Sequence, residues 1–370
     1  MTEPQSPPFH AEHLGSLLRP KELTQAFRAH AAGDIDDATF AKIQEDAIRQ
    51  VVQLQEKAGL DIVTDGEFRR ASYWGHWVDA IDGLGTAPAL FTFHDEGGEE
   101  MVFIAATCTG KLSKPKPIST DEFTFLNTVA KTTPKITMPS PSTLHFWRLS
   151  QTIAGSGYET DEAYFADLCA IFAKEIADLH ALGCRYVQLD EVPLIMLGNP
   201  DIRAQVKSLG GDPDRLIDLY ITAMNDAAGG RPKGMIAGMH MCRGNFKGRW
   251  LTEGGYDDIA EQVFGRVEVD AFFLEYDTER AGGFEPLRFV PKDKKVVLGL
   301  VSSKVPQLED AERLKARIDE AAKYISLDRL SISPQCGFAS TVAGNPVSEE
   351  DEKKKLELLV TVADDVWGRG

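Results

Sequence analysis

The chain has 370 residues, of which 43% are hydrophobic and 26% charged, a composition typical of an ordered globular protein rather than a fibrous or disordered one. Its length suits one large α/β barrel or two ordinary domains. The 57 acidic residues outnumber the 40 basic ones and give a net charge of −17. Because such a surface repels the phosphate backbone, we expect no nucleic-acid partner.

The N-terminus is typical of neither a secretory signal nor a membrane anchor. It carries Glu3 and prolines instead of a basic and then apolar run, and no stretch of about 18 apolar residues occurs. These features predict a cytoplasmic protein without a membrane partner. The five cysteines are odd in number and scattered, which favours reduced thiols or metal ligands over a disulfide framework: Cys108, Cys169, Cys184, Cys242 and Cys336.

Apolar periodicity predicts helices at residues 38–58, 162–182, 214–229, 306–324 and 348–367. Seven short, mostly continuous apolar runs predict strands that are buried on both faces, at residues 61–64, 135–138, 185–189, 235–241, 271–275, 295–301 and 330–333. Strands and helices that alternate in this way form parallel βα units. The predicted fold is therefore a single (β/α)8 TIM barrel, with seven of its eight strands identified.

The eighth strand and an insertion are less clearly marked. Residues 9–15 and a segment within 101–107 are both candidates for the missing strand. Residues 90–94 and 101–106, however, look more like an inserted β-hairpin with Gly97 and Gly98 at its turn. Because no linker divides the chain, we expect one domain over residues 1–370, with an N-terminal extension and an insertion at about 78–130. The C-terminal helix is expected to close the barrel, and a homo-oligomer remains open.

Four candidate metal ligands follow predicted strands. His240 and Cys242 share one face at a strand end, and imidazole with thiolate is a zinc-binding pair. Glu275 and Cys336 end or follow two later strands, and the carboxyl ends of barrel strands converge on one mouth. For His240 and Cys242 alone, packing in the core is an equally good interpretation. Glu275 differs, because a carboxylate in an apolar run needs a cation or hydrogen-bond donors. The other three cysteines are expected in the core.

Two further strand ends carry pairs of acids, Asp65 with Glu67 and Asp190 with Glu191. Acids at this mouth suit a ligand with an ammonium group, and helix capping is the competing interpretation. We favour ligand binding for Glu67 and Asp190, and capping or structural roles for Asp65 and Glu191. Four arginines flank these motifs and are candidates for holding an anion, although a solvated surface position is the more common one: Arg19, Arg69, Arg70 and Arg243.

Seven motifs in order resemble the catalytic barrel of cobalamin-independent methionine synthase, at residues 15–20, 65–68, 138–142, 188–191, 240–242, 273–275 and 334–337. The chain resembles the short, single-barrel members of that family. The resemblance implies transfer of a methyl group to the thiol of homocysteine, which forms methionine. It also implies that zinc is bound by His240, Cys242, Glu275 and Cys336. Ser16, Glu67 and Asp190 would hold the amino-acid part of homocysteine, Ser16 partly through its backbone.

Two departures from the family concern the methyl donor. The second, N-terminal barrel of the full-length enzyme has no counterpart here, and the position of a family histidine thought to transfer a proton matches Val301. The donor is therefore left open between methyltetrahydrofolate, a methylated corrinoid and another methyl compound. Because four protein ligands describe a closed zinc site, Glu275 is the ligand expected to loosen when a thiol arrives.

Two alternative functions remain at this stage. One is another zinc-dependent thiol alkyltransferase, which would open an epoxide with coenzyme M, and the other is a non-catalytic barrel that binds zinc or thiols. The sulfonate of coenzyme M would prefer arginines, whereas Glu67 and Asp190 favour the ammonium group of homocysteine.

Overall fold

The computed structural model describes residues 7–94, 100–245 and 247–368. Its helices are α1 (Lys21–Ala32), α2 (Asp37–Ala58), α3 (Gly75–Ala80), α4 (Thr120–Val129), α5 (Asp161–Ala181), α6 (Pro193–Met196), α7 (Pro200–Ser208), α8 (Pro213–Ala228), α9 (Ala260–Arg266), α10 (Ala311–Ala321) and α11 (Glu349–Trp367). Its strands are β1 (Ile62–Val63), β2 (Asp82–His94), β3 (Glu100–Ser113), β4 (Thr133–Pro134), β5 (Ile136–Pro139), β6 (Tyr186–Glu191), β7 (Ile236–Met241), β8 (Ala271–Glu275), β9 (Lys295–Val301) and β10 (Leu330–Pro334).

The fold is α/β and is organised around a parallel sheet. Six strands pair in the order β10-β9-β8-β7-β6-β5, and β1 pairs with β4 in parallel. The Lys135 N–H continues that second pairing, because it donates to the carbonyl of Val63 at 2.8 Å. At the other end, the Glu12 N–H donates to the Ile332 carbonyl at 2.9 Å, and the Ile332 N–H to His10 at 2.8 Å. The N-terminal segment therefore lies beside β10.

The seven predicted strands are confirmed, and their burial explains why they could be recognised. Nearly every residue of β5 to β10 is buried, as expected for parallel strands covered on both faces. Such strands have no solvent-facing side chains, so their sequences are continuous apolar runs rather than alternating ones.

The five predicted helices are confirmed as α2, α5, α8, α10 and α11. Local capping sets their ends: Asp36 accepts the Thr39 N–H at the start of α2, and Gly59 ends that helix with a φ of +90°. Helix α10 begins at Ala311 rather than near residue 306, because Asp310 caps it. No helix among the described residues is long and apolar enough to cross a membrane.

The predicted hairpin is confirmed and is longer than expected. Strands β2 and β3 pair antiparallel, while the turn predicted at Gly97 and Gly98 lies outside the described residues. Phe91 is buried and stacks on Phe146 with ring centroids 4.9 Å apart. The Leu90 N–H donates to the Trp147 carbonyl at 2.8 Å. The hairpin is thus packed onto the segment that follows β5.

A buried ion pair connects the N-terminal segment to the sheet. The Lys135 ammonium lies 3.0 Å from a Glu12 oxygen, and the Tyr186 hydroxyl donates to the other Glu12 oxygen at 3.0 Å. The same ammonium lies 5.0 Å from the ring centroid of Phe273. Burial lowers the pKa of Lys135, and Glu12 opposes that shift. Because both charges lie in the interior, each depends on the other for compensation.

Candidate metal centre and substrate cavity

Three side chains meet at the carboxyl ends of two non-adjacent strands. His240 lies near the end of β7, Cys242 follows that strand directly, and Cys336 follows β10 by two residues. One ligand atom from each lies within 4.8 Å of the other two, and the cysteine sulfurs are 3.7 Å apart. All three are buried. The structure therefore brings together three of the four predicted metal ligands.

The chemistry of this group fits a metal ion. Neither ring nitrogen of His240 has a hydrogen-bond partner among the described residues, which is costly for a buried polar group. A hydrogen bond between Cys242 and Cys336 holds the pKa of Cys336 well below its usual value and raises that of Cys242 well above it. One imidazole and two thiolates match a zinc site with three protein ligands and an open fourth position.

Glu275, the fourth predicted ligand, faces cations in this structure. One carboxylate oxygen lies 2.6 Å from Arg280 and 3.3 Å from Lys304, and the other accepts the Arg243 N–H at 2.8 Å. Burial alone would raise its pKa, but Lys304 and Arg243 lower the pKa of Glu275 to about 2. Its oxygens are not part of the three-residue group, and its role as a zinc ligand stays a prediction.

Glu67 and Asp190 line one cavity together with the three metal-ligand candidates. The cavity has a volume of about 240 Å³. One Glu67 oxygen accepts the Thr137 hydroxyl at 2.7 Å, and the other is buried without a partner in the described part of the chain. Asp190 accepts the Gln188 amide at 2.8 Å. Burial raises the pKa of Glu67, and it raises that of Asp190 to about 7. A cation between these two acids would relieve the cost of their burial.

The backbone at Glu67 is strained. Its φ of +61° lies in the left-handed region, which costs a residue with a side chain about 1 kcal/mol. Such strain persists where the surrounding structure fixes the conformation, and it clusters at functional sites. The strained backbone directs the Glu67 carboxylate into the cavity.

Ser16 lines the same cavity and is held by the loop that contains Cys336. Its carbonyl accepts the Phe338 N–H at 2.9 Å. A Cβ atom at Gly337 would lie 1.9 Å from the Ser16 hydroxyl oxygen, so only glycine allows the two segments to approach this closely. The N-terminal segment and the loop after β10 therefore form one wall of the cavity.

The remaining strand-end acids have the local roles expected of them. Asp65 accepts the Glu67 N–H at 2.9 Å, which closes the turn after β1. Glu191, which precedes the N-cap residue Val192, accepts the Leu194 N–H in the first turn of the short helix α6 at 2.8 Å. Burial raises the pKa of Glu191 to about 7. Both acids organise the loops that carry their neighbours Glu67 and Asp190.

Three of the flanking arginines are buried, so the expectation of surface positions was wrong for them. Arg70 pairs with Glu122 at 2.6 Å and lies 3.6 Å from Glu67. Arg19 donates to backbone carbonyls, including that of Glu67 at 2.8 Å, and Arg243 also donates to backbone carbonyls. Buried guanidinium groups need several acceptors, and these arginines find them within the protein. They brace the loops rather than face the cavity.

The sequence interpretation missed several cavity residues. Tyr73 lines the cavity, and its N–H donates to the Ser340 carbonyl at 3.2 Å. Burial raises the pKa of Tyr73, and electrostatic interactions with Cys242 and Asp190 raise it further. Three more residues that the sequence interpretation missed supply the aromatic lining of the cavity: Trp74, Phe103 and Trp147. Because Tyr73 and Trp74 follow Glu67 closely in sequence, their place in the cavity could have been predicted. No sequence feature indicated that Phe103 and Trp147 line it.

The loop after β9 contains a lysine that the sequence interpretation did not single out. Val301, matched to the family histidine, is the last residue of β9 and is fully buried. Lys304, three residues later, places its ammonium beside Glu275 and is also buried. The charged side chain that this loop contributes near the metal-ligand candidates is thus Lys304.

Comparison with known proteins shows the family of the chain. Residues 11–364 match the sequence profile of a family described as the catalytic domain of cobalamin-independent synthase. The chain belongs to the cobalamin-independent methionine synthase family. The resemblance drawn from the seven motifs is therefore confirmed. At the level of the family, membership supports a homocysteine methyltransferase.

Three similar proteins come from Bacillus subtilis, Listeria monocytogenes and Pyrococcus horikoshii. The uncharacterized protein YxjH of Bacillus subtilis is 41% identical and matches 97% of this chain and 95% of its own. A crystal structure of a putative vitamin-B12 independent methionine synthase from Listeria monocytogenes has a TM-score of 0.78 and 31% identity, covering 99% of this chain and 100% of the other. Methionine synthase of Pyrococcus horikoshii is 26% identical over 88% of this chain and 85% of its own.

Proposed function

We propose that this protein is a zinc-dependent S-methyltransferase that transfers a methyl group to the thiol of homocysteine and forms methionine. One observation carries the proposal: the metal-ligand candidates His240, Cys242 and Cys336 share a cavity with Glu67 and Asp190. The cavity would then activate a thiol and bind an ammonium group at neighbouring positions. Homocysteine has both a thiol and an ammonium group.

The fold proposed for this activity is one domain over residues 1–370, a closed (β/α)8 barrel with an insertion at about 78–130. Residues 9–15 would act as the eighth strand, between β10 and β1. In support, the Thr64 hydroxyl donates to the Gly15 carbonyl at 2.6 Å, and the Leu17 N–H donates to the Gly66 carbonyl at 3.2 Å. In a closed barrel the strand ends that bear these side chains surround a single mouth.

The proposed zinc site uses His240, Cys242 and Cys336 as its firm ligands. When bound there, zinc would supply Lewis-acid chemistry, which converts a substrate thiol to the nucleophilic thiolate. Glu275 is proposed as a fourth, more weakly held ligand. Its ion pairs with Arg280 and Lys304 compete for its carboxylate, so the fourth position is the one left open to the substrate sulfur.

The protein's own side chains would orient the acceptor. The unpartnered oxygen of Glu67 and the carboxylate of Asp190 would bind the ammonium group, and Ser16 would hold the amino-acid end through its backbone and hydroxyl. This arrangement fixes the acceptor at one end and directs its sulfur toward the cysteine pair. Holding the sulfur in line with the donor's methyl group supplies several kcal/mol of the barrier reduction. The family favours a methylated folate as the donor, and a methylated corrinoid is the alternative.

The two acids also decide between acceptor thiols. Among the described residues that line the cavity, none is lysine or arginine, so a thiol with an anionic tail such as coenzyme M would face Glu67 and Asp190 without a partner. We expect Glu67→Lys to lose methyl transfer to homocysteine because the thiol no longer binds, so any remaining activity should show a raised KM for homocysteine. Unchanged affinity for homocysteine in this variant would argue for a different acceptor.

Metal analysis tests the zinc site directly. The purified protein is expected to contain one zinc per chain, and Cys336→Ser and Cys242→Ser should each lose it while the circular dichroism spectrum is retained. Cys169→Ser is the matched control, because Cys169 is also buried but lies on α5. Stoichiometric zinc in both ligand variants would refute this site.

The activity test follows methionine formation from homocysteine by the zinc-loaded protein, with methyltetrahydrofolate and methylcobalamin offered separately. Methionine is expected with at least one donor, and the Cys336→Ser variant should be inactive with both. Zinc-loaded protein that forms no methionine with either donor, or with a wider panel of methyl compounds, would contradict the proposed function and favour a non-catalytic thiol-binding protein.

A further inference from the structure

The cavity has two chemically different halves. Glu67, Asp190 and the cysteine pair form the polar half described above. The lining also includes four large apolar side chains, which we call the apolar half: Trp74, Phe103, Ile104 and Trp147. A methyl transfer needs two reactants, and the acceptor's charged groups match the polar half. The second reactant therefore has to approach the sulfur from the apolar half.

The β2–β3 hairpin supplies one side of this apolar half, and packing fixes its position. The Phe103 ring lies edge-on to Trp147, with ring centroids 5.0 Å apart and an interplanar angle of 84°. Nearby, the stacking of Phe91 on Phe146 and the backbone hydrogen bond from Leu90 to Trp147 hold the second half of β2 in place. The side of the cavity that the hairpin forms is thus part of the packed structure, and its aromatic pair has the edge-to-face geometry that such pairs prefer.

Ile104 occupies an unusual position for an apolar side chain. It lines the cavity, yet 53% of its surface is exposed, while Ala105 and Ala106 next to it are buried. An isoleucine at the rim of a cavity gains free energy when a ligand covers it, at about 25 cal/mol for each Å² removed from water. With Phe103 it presents a surface that an uncharged ring can cover.

We propose that the β2–β3 hairpin, through Phe103 and Ile104, is the specificity-determining element for the methyl donor. These two side chains contact an uncharged ring of the donor and hold its methyl group toward the sulfur bound in the polar half. This inference rests on the proposed function and assigns the donor side of the same cavity to a particular element. Because the described lining contains no lysine or arginine, the part of the donor that contacts these side chains is expected to be uncharged.

The test compares the two substrates in Phe103→Ser and Ile104→Ser. Each variant is expected to raise KM for the donor about tenfold, as lost apolar contact of this size predicts, and to leave KM for homocysteine within about twofold. Leu182→Ser is the matched control, because Leu182 is 49% exposed, similar to Ile104, but does not line the cavity. Ile104 is exposed enough that its replacement should preserve folding.

A binding measurement separates this inference from the proposed function. Calorimetry with methyltetrahydrofolate or methylcobalamin as the probe reports donor binding without turnover. Weaker binding in both hairpin variants, with unchanged binding in Leu182→Ser, supports the inference even if no methionine forms, an outcome that would refute only the function. Equal binding in wild type and variants, no binding to the wild type, or an equal rise in both KM values would overturn the role of the hairpin.

Discussion

Glu275 shows how strongly a single buried carboxylate depends on its surroundings. Three hydrogen-bond donors or cations, from Arg243, Arg280 and Lys304, satisfy it in the described structure. Its low pKa keeps it charged at all ordinary pH values. The carboxylate therefore stabilises the loops around the metal-ligand candidates whether or not it binds a metal.

We expect Glu275→Gln to destabilise the metal-free protein by about 3 kcal/mol, because the substitution leaves buried cations without their counter-charge. The free energy of unfolding is measured by urea denaturation in the presence of a chelator. Glu279→Gln is the control, since Glu279 is exposed on the same loop. A loss no larger than that of the control would mean that Glu275 has no structural role apart from metal binding.

The sequence predicted the residues of this region but not their contacts. Glu275 was recognised because a carboxylate in an apolar run needs compensation, and that argument was sound. It could not tell whether the compensation came from a metal or from Arg280 and Lys304. Arg280 lies in a three-residue 3-10 helix and Lys304 in the loop after β9. The course of such short connecting segments depends on tertiary packing rather than on a local pattern.

Among the elements, α11 has the clearest pH-sensitive contact. The Glu352 carboxylate accepts the Leu18 N–H at 2.8 Å and is fully buried. Burial, with a smaller effect of Glu349, raises the pKa of Glu352 from 4.5 to about 8. At neutral pH the folded protein therefore holds a proton on this side chain that the unfolded chain has released.

Stability should consequently fall as pH rises. Between pH 4.5 and 8, the folded state binds one more proton than the unfolded state at Glu352, so the free energy of unfolding decreases by about 1.4 kcal/mol per pH unit from this group. Glu352→Gln mimics the protonated form and should remove this contribution. Urea denaturation at several pH values measures the slope, with the exposed Glu357→Gln on the same helix as the control. An unchanged slope in Glu352→Gln would contradict the assignment.

The elements differed in how well their sequences predicted them. Helices α2, α5, α8 and α11 were predicted because each has a long amphipathic pattern and acidic residues in its first turn. Helices α1, α3, α4, α6, α7 and α9 were missed. They have 12, 6, 10, 4, 9 and 7 residues. All of them except α1 are shorter than the shortest predicted helix, α10 with 11 residues, and short segments give too few turns for periodicity to be distinctive.

At the scale of the whole molecule, the pair Glu12 and Lys135 ties distant parts of the chain together inside the fold. Glu12 comes from the N-terminal segment, and Lys135 lies between β4 and β5. Tyr186 on β6 completes the contact. The pair therefore stabilises the association of elements that are far apart in sequence.

We expect Glu12→Gln and Lys135→Met each to lower the free energy of unfolding by about 3 to 5 kcal/mol, because each leaves a buried charge unpaired. The double variant should lose less than the sum of the two single losses, since no isolated charge remains. Urea denaturation of all four proteins completes the cycle. Additive losses would show that the two charges are compensated independently.

The overall arrangement explains which parts of the site the sequence could predict. His240, Cys242 and Cys336 were found because the ends of parallel strands meet at one edge, a rule that needs no knowledge of the connecting loops. The apolar half of the cavity was not found. Its residues come together only when the hairpin folds back onto Trp147, and no local pattern in the chain indicates such a long-range contact.

The hairpin is one uninterrupted stretch of the chain, from Asp82 to Ser113, whereas the acids and the metal-ligand candidates come from other segments. If the hairpin selects the methyl donor as proposed, a change confined to this one stretch would alter the donor and leave the proposed zinc and acceptor residues in place. Relatives that share the strand-end motifs but differ in this stretch are then expected to use different methyl donors.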